Sequence, residues 1–453
     1  MKNLTKNIVT DNGLTPRIDL SSSQGEGVIT FFDEVPIDYI TINQNLTDPS
    51  QIITGDIAGD QIKWIRNNSH RVLGKKTGDG IITICRLSDS NSNNYYDGTP
   101  ASLDGSEGDS FVRLPEFYYS AEETETDVWK IGFSSKSFPG SKKWDSNNLI
   151  GTYEAYYGDN KLQSISGVSS SGSISQERFI QYSRNRGTGY MIVDWYMHCI
   201  MAFLFYAWYG NTNSQKICGA GTDSYRKTTG ETNSLGMTDT EGGVIGEGNN
   251  STWDTSKNGN QGSINFWGLE NWWGNKYEWI EGIEWGIQKD SDSSIYQIAK
   301  IMNPDGSTRT ATCPSPVNTK TMEGTYLPTK FTIGEYLDLI PKGGLSQQEL
   351  EEQFPNMNNK SYDINYGYSD GCAVTDIMST IEDPGATSGF PSGFSSVFVV
   401  YRSARGSVSS GGVSYSDAKH DSSVSGSFVG SRLAFRGEVR EASSVSEYKS
   451  ISI

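Results

Sequence analysis

The sequence predicts an α+β fold that is mostly short strands and turns around one buried helix. Three observations predict it: a high glycine content, short runs in which apolar and β-branched residues alternate, and a single long apolar stretch. Fifty of the 453 residues are Gly, 35% are hydrophobic and 11% are aromatic. That aromatic content is too high for a disordered chain, and glycine without extended helical patterning marks turns between strands. At roughly 150 residues per domain, the length allows two or three. The formal net charge of −17 argues against general nucleic-acid binding, because neutralising phosphates takes clustered Lys and Arg. It suits a soluble particle that avoids non-specific contacts. The five Cys, at 85, 199, 218, 313 and 372, are odd in number and form no C-x-x-C pair, so neither a disulfide framework nor a zinc site is expected. The three His, at 70, 198 and 420, are too dispersed for a His-based metal centre.

Taken in order, VITFFDEV and YITINQNLT read as strands from their alternation and β-branching. IAGDQIKWIRNNSHRVLG carries a short helical pattern, and the polar stretch 90–111 reads as a loop. FVRLPEFYYSAEE alternates, and VWKIGFS is its expected partner strand. Residues 160–178 are Ser- and Gly-rich and read as an exposed loop. Residues 211–262 have no usable period. Beyond the aromatic block at 263–285 come a strand, YQIAKIM, and a short acidic helix, LSQQELEEQF; SSVFVVY and RLAFRGEV close the pattern.

The apolar stretch Tyr190–Trp208 is nearly long enough to span a bilayer. Asp194 and His198 interrupt it at the i, i+4 spacing of one helical face. A charge at bilayer depth costs about 3 kcal/mol, and no second span or basic flank accompanies the stretch. A buried central helix is expected, stopped by Gly210 and Asn211. The N-terminus has no apolar core of a secretory signal.

The aromatic block, INFWGLENWWGNKYEWIEGIEW, holds Trp267, Trp272, Trp273, Trp279 and Trp285. Such rings bury large areas. They form either a core wrapped by loops or a platform for stacking sugars. Within the block Asn271, Gly274 and Glu278 are spaced as a loop folding around a hard cation, since side-chain and backbone oxygens are what Ca²⁺ accepts. Glu278 satisfying turn N–H groups is the plainer alternative.

GLENWWGNKYEWIEG resembles the N-x-x-G-N-x-W-E-W segment of formylglycine-generating enzymes and their relatives, and GSRLAFRG resembles the closing strand of the same group. LFYAWYGNTNSQKICG, TGETNSLGM and FVRLPEFYY are similar to one branch, the variable proteins of diversity-generating retroelements. The resemblance covers about residues 85–440. It implies a C-type-lectin-like (formylglycine-generating-enzyme-like) domain with long insertions over 85–453. A small β-rich mounting or oligomerisation domain over 1–84 would precede it. It also implies a Ca²⁺-like ion held by the Asn271 and Glu278 side chains with the Gly274 and Lys276 carbonyls.

Enzymes of that group use a Cys pair near the C-terminal strands. This sequence has no Cys after Cys372, so a thiolate nucleophile or copper-thiolate centre cannot be built there. Ser407, Asp417 and His420 form a nucleophilic triad only on paper, because Ser is so abundant in that region. No catalytic residue is therefore expected, and an enzyme of the formylglycine-generating type is the runner-up reading.

The stretch Tyr401–Ser431 points instead to recognition. In the related retroelement proteins a segment here is diversified at template adenines, a process that reaches Tyr, Asp, His, Ser and Gly but not Lys, Glu, Gln, Met or Trp. Those five unreachable types number 81 in the 453-residue chain, so an average window of 31 would hold five or six; this one holds only Lys419. Ser, Gly, Tyr, Asp and His are adaptable contact residues, as in antibody loops. Side chains alternate along a strand, which puts Ser403, Arg405, Ser407 and Ser409 in one phase and Val424, Gly426 and Phe428 in another. Asp417 and His420 fall in the intervening loop. With Tyr401 and Tyr415 these residues form the expected ligand face, fixed by the flanking strands VFVVY and GSRLAFRG. The resemblance implies a receptor-binding protein of a phage tail, folded in the host cytoplasm and displayed on the virion as a homotrimer. Its partner would be a bacterial surface protein or glycan. A lipid-anchored display protein of a bacterium is the remaining alternative. Neither nucleic acid nor membrane insertion is expected.

Overall fold

The computed structural model describes residues 14–19, 28–33, 35–43, 46, 50–125, 128–211, 214–218, 235–241, 263–289, 295–302, 308–312, 394–402, 412–413, 416–420 and 422–452. Strands predominate and helices are few, as expected for a β-rich α+β chain. The acidic helix expected at 345–354 and most of 211–262 lie outside the described residues.

The largest sheet has seven strands, in the spatial order Tyr190–Ile192, Leu433–Arg436, Asn148–Gly151, Asp109–Arg113, His70–Gly78, Ile81–Arg86 and Glu438–Glu441. Neighbours are antiparallel, except that Glu438–Glu441 runs parallel to Ile81–Arg86. Asp109–Arg113, Asn148–Gly151, Tyr190–Ile192 and the closing strands Leu433–Arg436 and Glu438–Glu441 thus share one sheet.

A boundary at residue 84 is overturned. His70–Gly78 and Ile81–Arg86 lie inside this sheet, and Asp38–Asn43 pairs with Val128–Ser134 in a second, five-stranded one. The reason is burial: Ile40, Ile42, Ile62, Ile65, Val72 and Ile82 are all buried, and they need partner layers supplied by later residues. Among the described residues, only the hairpin of Leu14–Asp19 and Val28–Asp33 forms a sheet of its own in this region.

The FVRLPEFYY stretch is two strands rather than one. Asp109–Arg113 belongs to the seven-stranded sheet and Phe117–Glu125 to the five-stranded one. Pro115, which has no N–H to donate to a ladder, sits at the switch.

Helix α1 (Asp60–Asn67) and helix α2 (Gln176–Arg184) are short and amphipathic, whereas α3 (Trp195–Tyr209) is apolar all round and buried. The apolar stretch begins as the strand Tyr190–Ile192, and the helix starts later than predicted because Asp194 caps it. One Asp194 oxygen accepts the Met197 N–H at 2.9 Å and the other takes Arg436 at 2.7 Å. Gly210, at φ 60°, ends the helix in the left-handed conformation that glycine tolerates. Among the described residues no helix is long and apolar enough to cross a membrane.

A third sheet is built on the strand Tyr277–Lys289. It pairs with Ile295–Met302 on one side and Phe394–Arg402 on the other, and Val429–Ser431 joins it in parallel. A bulge between Trp279 and Glu284, with Gly282 at φ 83°, bends this strand. Ile280 and Ile283 join the core around α3, and Trp279 enters a second cluster with Tyr401, Val399 and Phe435. Trp267, Trp272, Trp273 and Trp279 are buried, so these rings are core and offer no platform for sugars.

Candidate functional site

The site is the segment between two stems, the strand Phe394–Arg402 and the pair Val429–Ser431 and Leu433–Arg436. At the foot of both stems lies a buried charge clamp. Glu278 sits between Arg402, the last residue of the first stem, and Arg432, between the two strands of the second, and none of the three is exposed. Arg432 donates to Glu278 Oε1 at 2.7 Å, to the Gly151 and Thr152 carbonyls at 3.0 and 2.8 Å, and to the Glu270 and Asn271 carbonyls at 2.8 and 3.0 Å. Arg402 donates to Glu278 and to the Trp272 carbonyl at 2.6 Å. Its guanidinium carbon lies 3.4 Å from the centre of the Trp272 ring, a cation–π contact in a desolvated place. Burial pulls the Arg402 pKa down to about 10 against the opposing pull of Glu278.

A second carboxylate, Glu154, is buried next to this clamp. It accepts the Lys276 N–H at 3.2 Å and an Asn275 amide hydrogen bond. Burial, and then the Glu278 charge, push its pKa up to about 7, against Lys276 and Arg432. Glu281, held by Arg184 at 2.8 Å, is likewise pushed up to about 7, chiefly by burial.

This chemistry lies on the expected Ca²⁺ loop. The Glu278 carboxylate is already engaged by two guanidiniums. Asn271 Oδ1 accepts the Ile264 N–H at 3.1 Å, its backbone carbonyl is taken by Arg432, and Lys276 points its ammonium at the Ser170 carbonyl, 2.8 Å away. Gly274 contributes a left-handed turn at φ 82°. Two of the four expected ligand groups, the Glu278 carboxylate and the Asn271 side-chain oxygen, are thus engaged by the chain's own donors.

The structure describes only part of the expected ligand face. Tyr401 is 2% exposed, packed against Trp279 and Tyr277 with ring centres 5.3 and 4.7 Å apart. It belongs to the core, because it lies on the buried side of its strand. Asp417 and His420 lie on a strand, Ser416–His420, rather than in a loop, with Cα partners Tyr401 and Val399. Ser403, Arg405, Ser407, Ser409 and Tyr415 lie outside the described residues.

The alternation at 424–428 is real but its phase is reversed. Val424, Gly426 and Phe428 are half-buried, with Val424 and Phe428 packed on the second core cluster and Phe428 6.0 Å from the Tyr277 ring. Ser423, Ser425 and Ser427 are the exposed set. Burial of apolar area decides the phase. The segment is also tied to the Ser/Gly stretch, which is docked rather than free. Ser173 donates to the Gly426 carbonyl at 2.8 Å, Ser422 bonds Glu177, and Ser164 and Ser170 are buried.

Sequence reasoning missed Arg402, Arg432 and Glu154. The available signal was an Arg in each apolar stem, with Glu278 in the aromatic block upstream of both. The chain matches no family model, and no curated protein resembles it in sequence.

Proposed function

We propose that this chain is a hypervariable receptor-binding protein with a C-type-lectin-like domain. It acts as a phage tail-tip adhesin diversified by a retroelement, works as a homotrimer without catalysis, and binds a protein or glycan on a bacterial surface. The charge clamp is the observation that supports this most. One carboxylate, Glu278, is bound by Arg402, near the start of the 401–431 stretch, and by Arg432, just past its end. A stretch with clamped stems can change its exposed residues without disturbing the core, and surface changes away from special features cost within about 0.5 kcal/mol. The poverty of 401–431 in Lys, Glu, Gln, Met and Trp fits adenine-directed change of that stretch.

The test replaces Ser403, Arg405, Ser407, Ser409, Ser423, Ser425 and Ser427 together with other choices from Tyr, Asp, Asn and Ser. The thermal midpoint should hold, while binding to a panel of whole bacterial cells is lost or redirected. Unchanged binding to the same cells sinks the proposal. A near-identical repeat beside the gene, carrying adenines at the variable codons next to a reverse transcriptase, is the expected genomic counterpart.

A further inference from the structure

A cleft of about 280 Å³ shares no lining residue with the charge clamp or the 401–431 stretch. The largely buried pair Arg186 and Asp109 makes its inner wall and the exposed Lys161 with the half-buried Gln163 its rim; Lys76 and Tyr190 also line it. The wall is held rigid by its own hydrogen bonds. Arg186 pairs with the buried Asp109 and donates to the Leu162 carbonyl at 2.9 Å, while its guanidinium lies 4.8 Å from the centre of the Tyr190 ring. The other Asp109 oxygen accepts the Ser164 N–H at 2.9 Å, and Lys76 donates to the Arg186 carbonyl at 2.9 Å. On the rim, the hairpin Tyr156–Gly158 and Lys161–Gln163 turns through Asp159 and Asn160, at φ 52° and 59°, a tight turn that fixes both strands. Gly105 and Gly108, at φ 94° and 108°, also line the cleft and add no side chains to it.

The charges nearly cancel. Lys76, Lys161 and Arg186 face Asp109 and Asp159, and Asp79 also acts on Lys76. Such a site gives a bare anion no net attraction. Beside the internally bonded wall, Lys76, Lys161 and Gln163 present donors and Asp159 and Gln163 present acceptors, and a hydroxyl uses both, donating one hydrogen bond and accepting others. The volume lies below the roughly 300–1,000 Å³ of drug-sized sites, which leaves room for one ring. We propose that this cleft binds a single neutral sugar unit, held between the Arg186–Asp109 wall and the Lys161–Gln163 rim. A pre-organised lining lowers the ordering cost of such binding. The proposal stands independently of the adhesin reading.

The test is saturation-transfer NMR on the full chain with glucose, galactose and N-acetylglucosamine at millimolar concentration, with glucuronate and inorganic phosphate as anionic arms. At least one neutral sugar should receive saturation. Its affinity should fall about tenfold or more in Gln163→Ala, a loss of about 1.4 kcal/mol, and vanish in Lys161→Trp, which fills the mouth. Both substitutions are at partly or fully exposed positions, and an unchanged thermal midpoint shows that each variant folds. No transfer to any neutral sugar, transfer undiminished in both variants, or binding of the anions alone overturns the proposal.

Discussion

Glu278 holds two guanidiniums that together reach the carbonyls of Gly151, Thr152, Glu270, Asn271 and Trp272. Removing one partner of a buried ion pair leaves an uncompensated charge, at a cost of about 3–5 kcal/mol. Glu278→Ala should therefore lower the urea midpoint by that equivalent, and Arg402→Met with Glu278→Gln together should cost less than the sum of the single changes. Glu154 and Glu281 make a different prediction. Both pKa values stand at about 7 in the fold, against 4.5 for an ordinary Glu. Between those values the folded chain keeps protons that the unfolded chain has released. Their contribution is thus complete below about 4.5 and is lost as pH rises to about 7, at about 1.4 kcal/mol for each tenfold difference in proton affinity between folded and unfolded chain. His198 opposes them. Burial, with Arg402 nearby, holds its pKa well below the usual range, so its contribution is present above the ordinary His value and is lost as pH falls. Separate variants divide these contributions: Glu154→Gln should raise the urea midpoint at about pH 8 and leave it nearly unchanged at about pH 4.5. A lower midpoint for that variant at the alkaline end contradicts the assignment.

At the scale of elements, α3 depends on its two ends. Asp194 caps the first turn and pairs with Arg436, so Asp194→Ala should cost more than the roughly 1 kcal/mol of an ordinary cap, because Arg436 loses its carboxylate. Gly210→Ala should cost about 1 kcal/mol, since a Cβ there is strained at φ 60° and meets Ile57 at 3.1 Å. Thermal melts of both variants check these values. The same helix shows what the sequence makes legible. Its apolar run, the Asp cap and the stopping Gly are local signals, and they predict existence, burial and end. The short strand before Asp194 is hidden, because Tyr190–Ile192 pairs with Leu433–Arg436 more than two hundred positions away. The alternation at 424–428 is legible, but its facing is set by packing on Tyr277 and its neighbours, which no local pattern announces. The clamp is hidden for the same reason: Arg402 and Arg432 find Glu278 across separations of 124 and 154 residues. Its pairing appears only once the strands are in register.

For the whole molecule, the interleaved sheets decide where the chain can be cut. His70–Gly78 stands between Asp109–Arg113 and Ile81–Arg86, and the closing strand Glu438–Glu441 lies outside Ile81–Arg86. A chain beginning at residue 85 lacks two interior strands of the seven-stranded sheet. Phe111 and Val112, both buried, then lie on an exposed edge, and Glu438–Glu441 has no neighbour. An unpaired apolar edge strand is an aggregation template. Asp38–Asn43 is lost as well, which opens Val128–Ser134 and uncovers Ile131 and Phe133 beside the α3 core. That truncated chain should be insoluble or lack a cooperative urea transition. Among the described residues, a chain beginning at residue 35 loses only the hairpin whose two strands pair with each other. An isolated two-stranded hairpin adds little stability by itself, so this shorter cut should keep a single cooperative transition at an unchanged midpoint. The two cuts differ by fifty residues and should fall on opposite sides of folding. Circular dichroism with urea titration of both reads the outcome. Cooperative folding of the chain from residue 85 would return the boundary to that position and make the shared sheet dispensable.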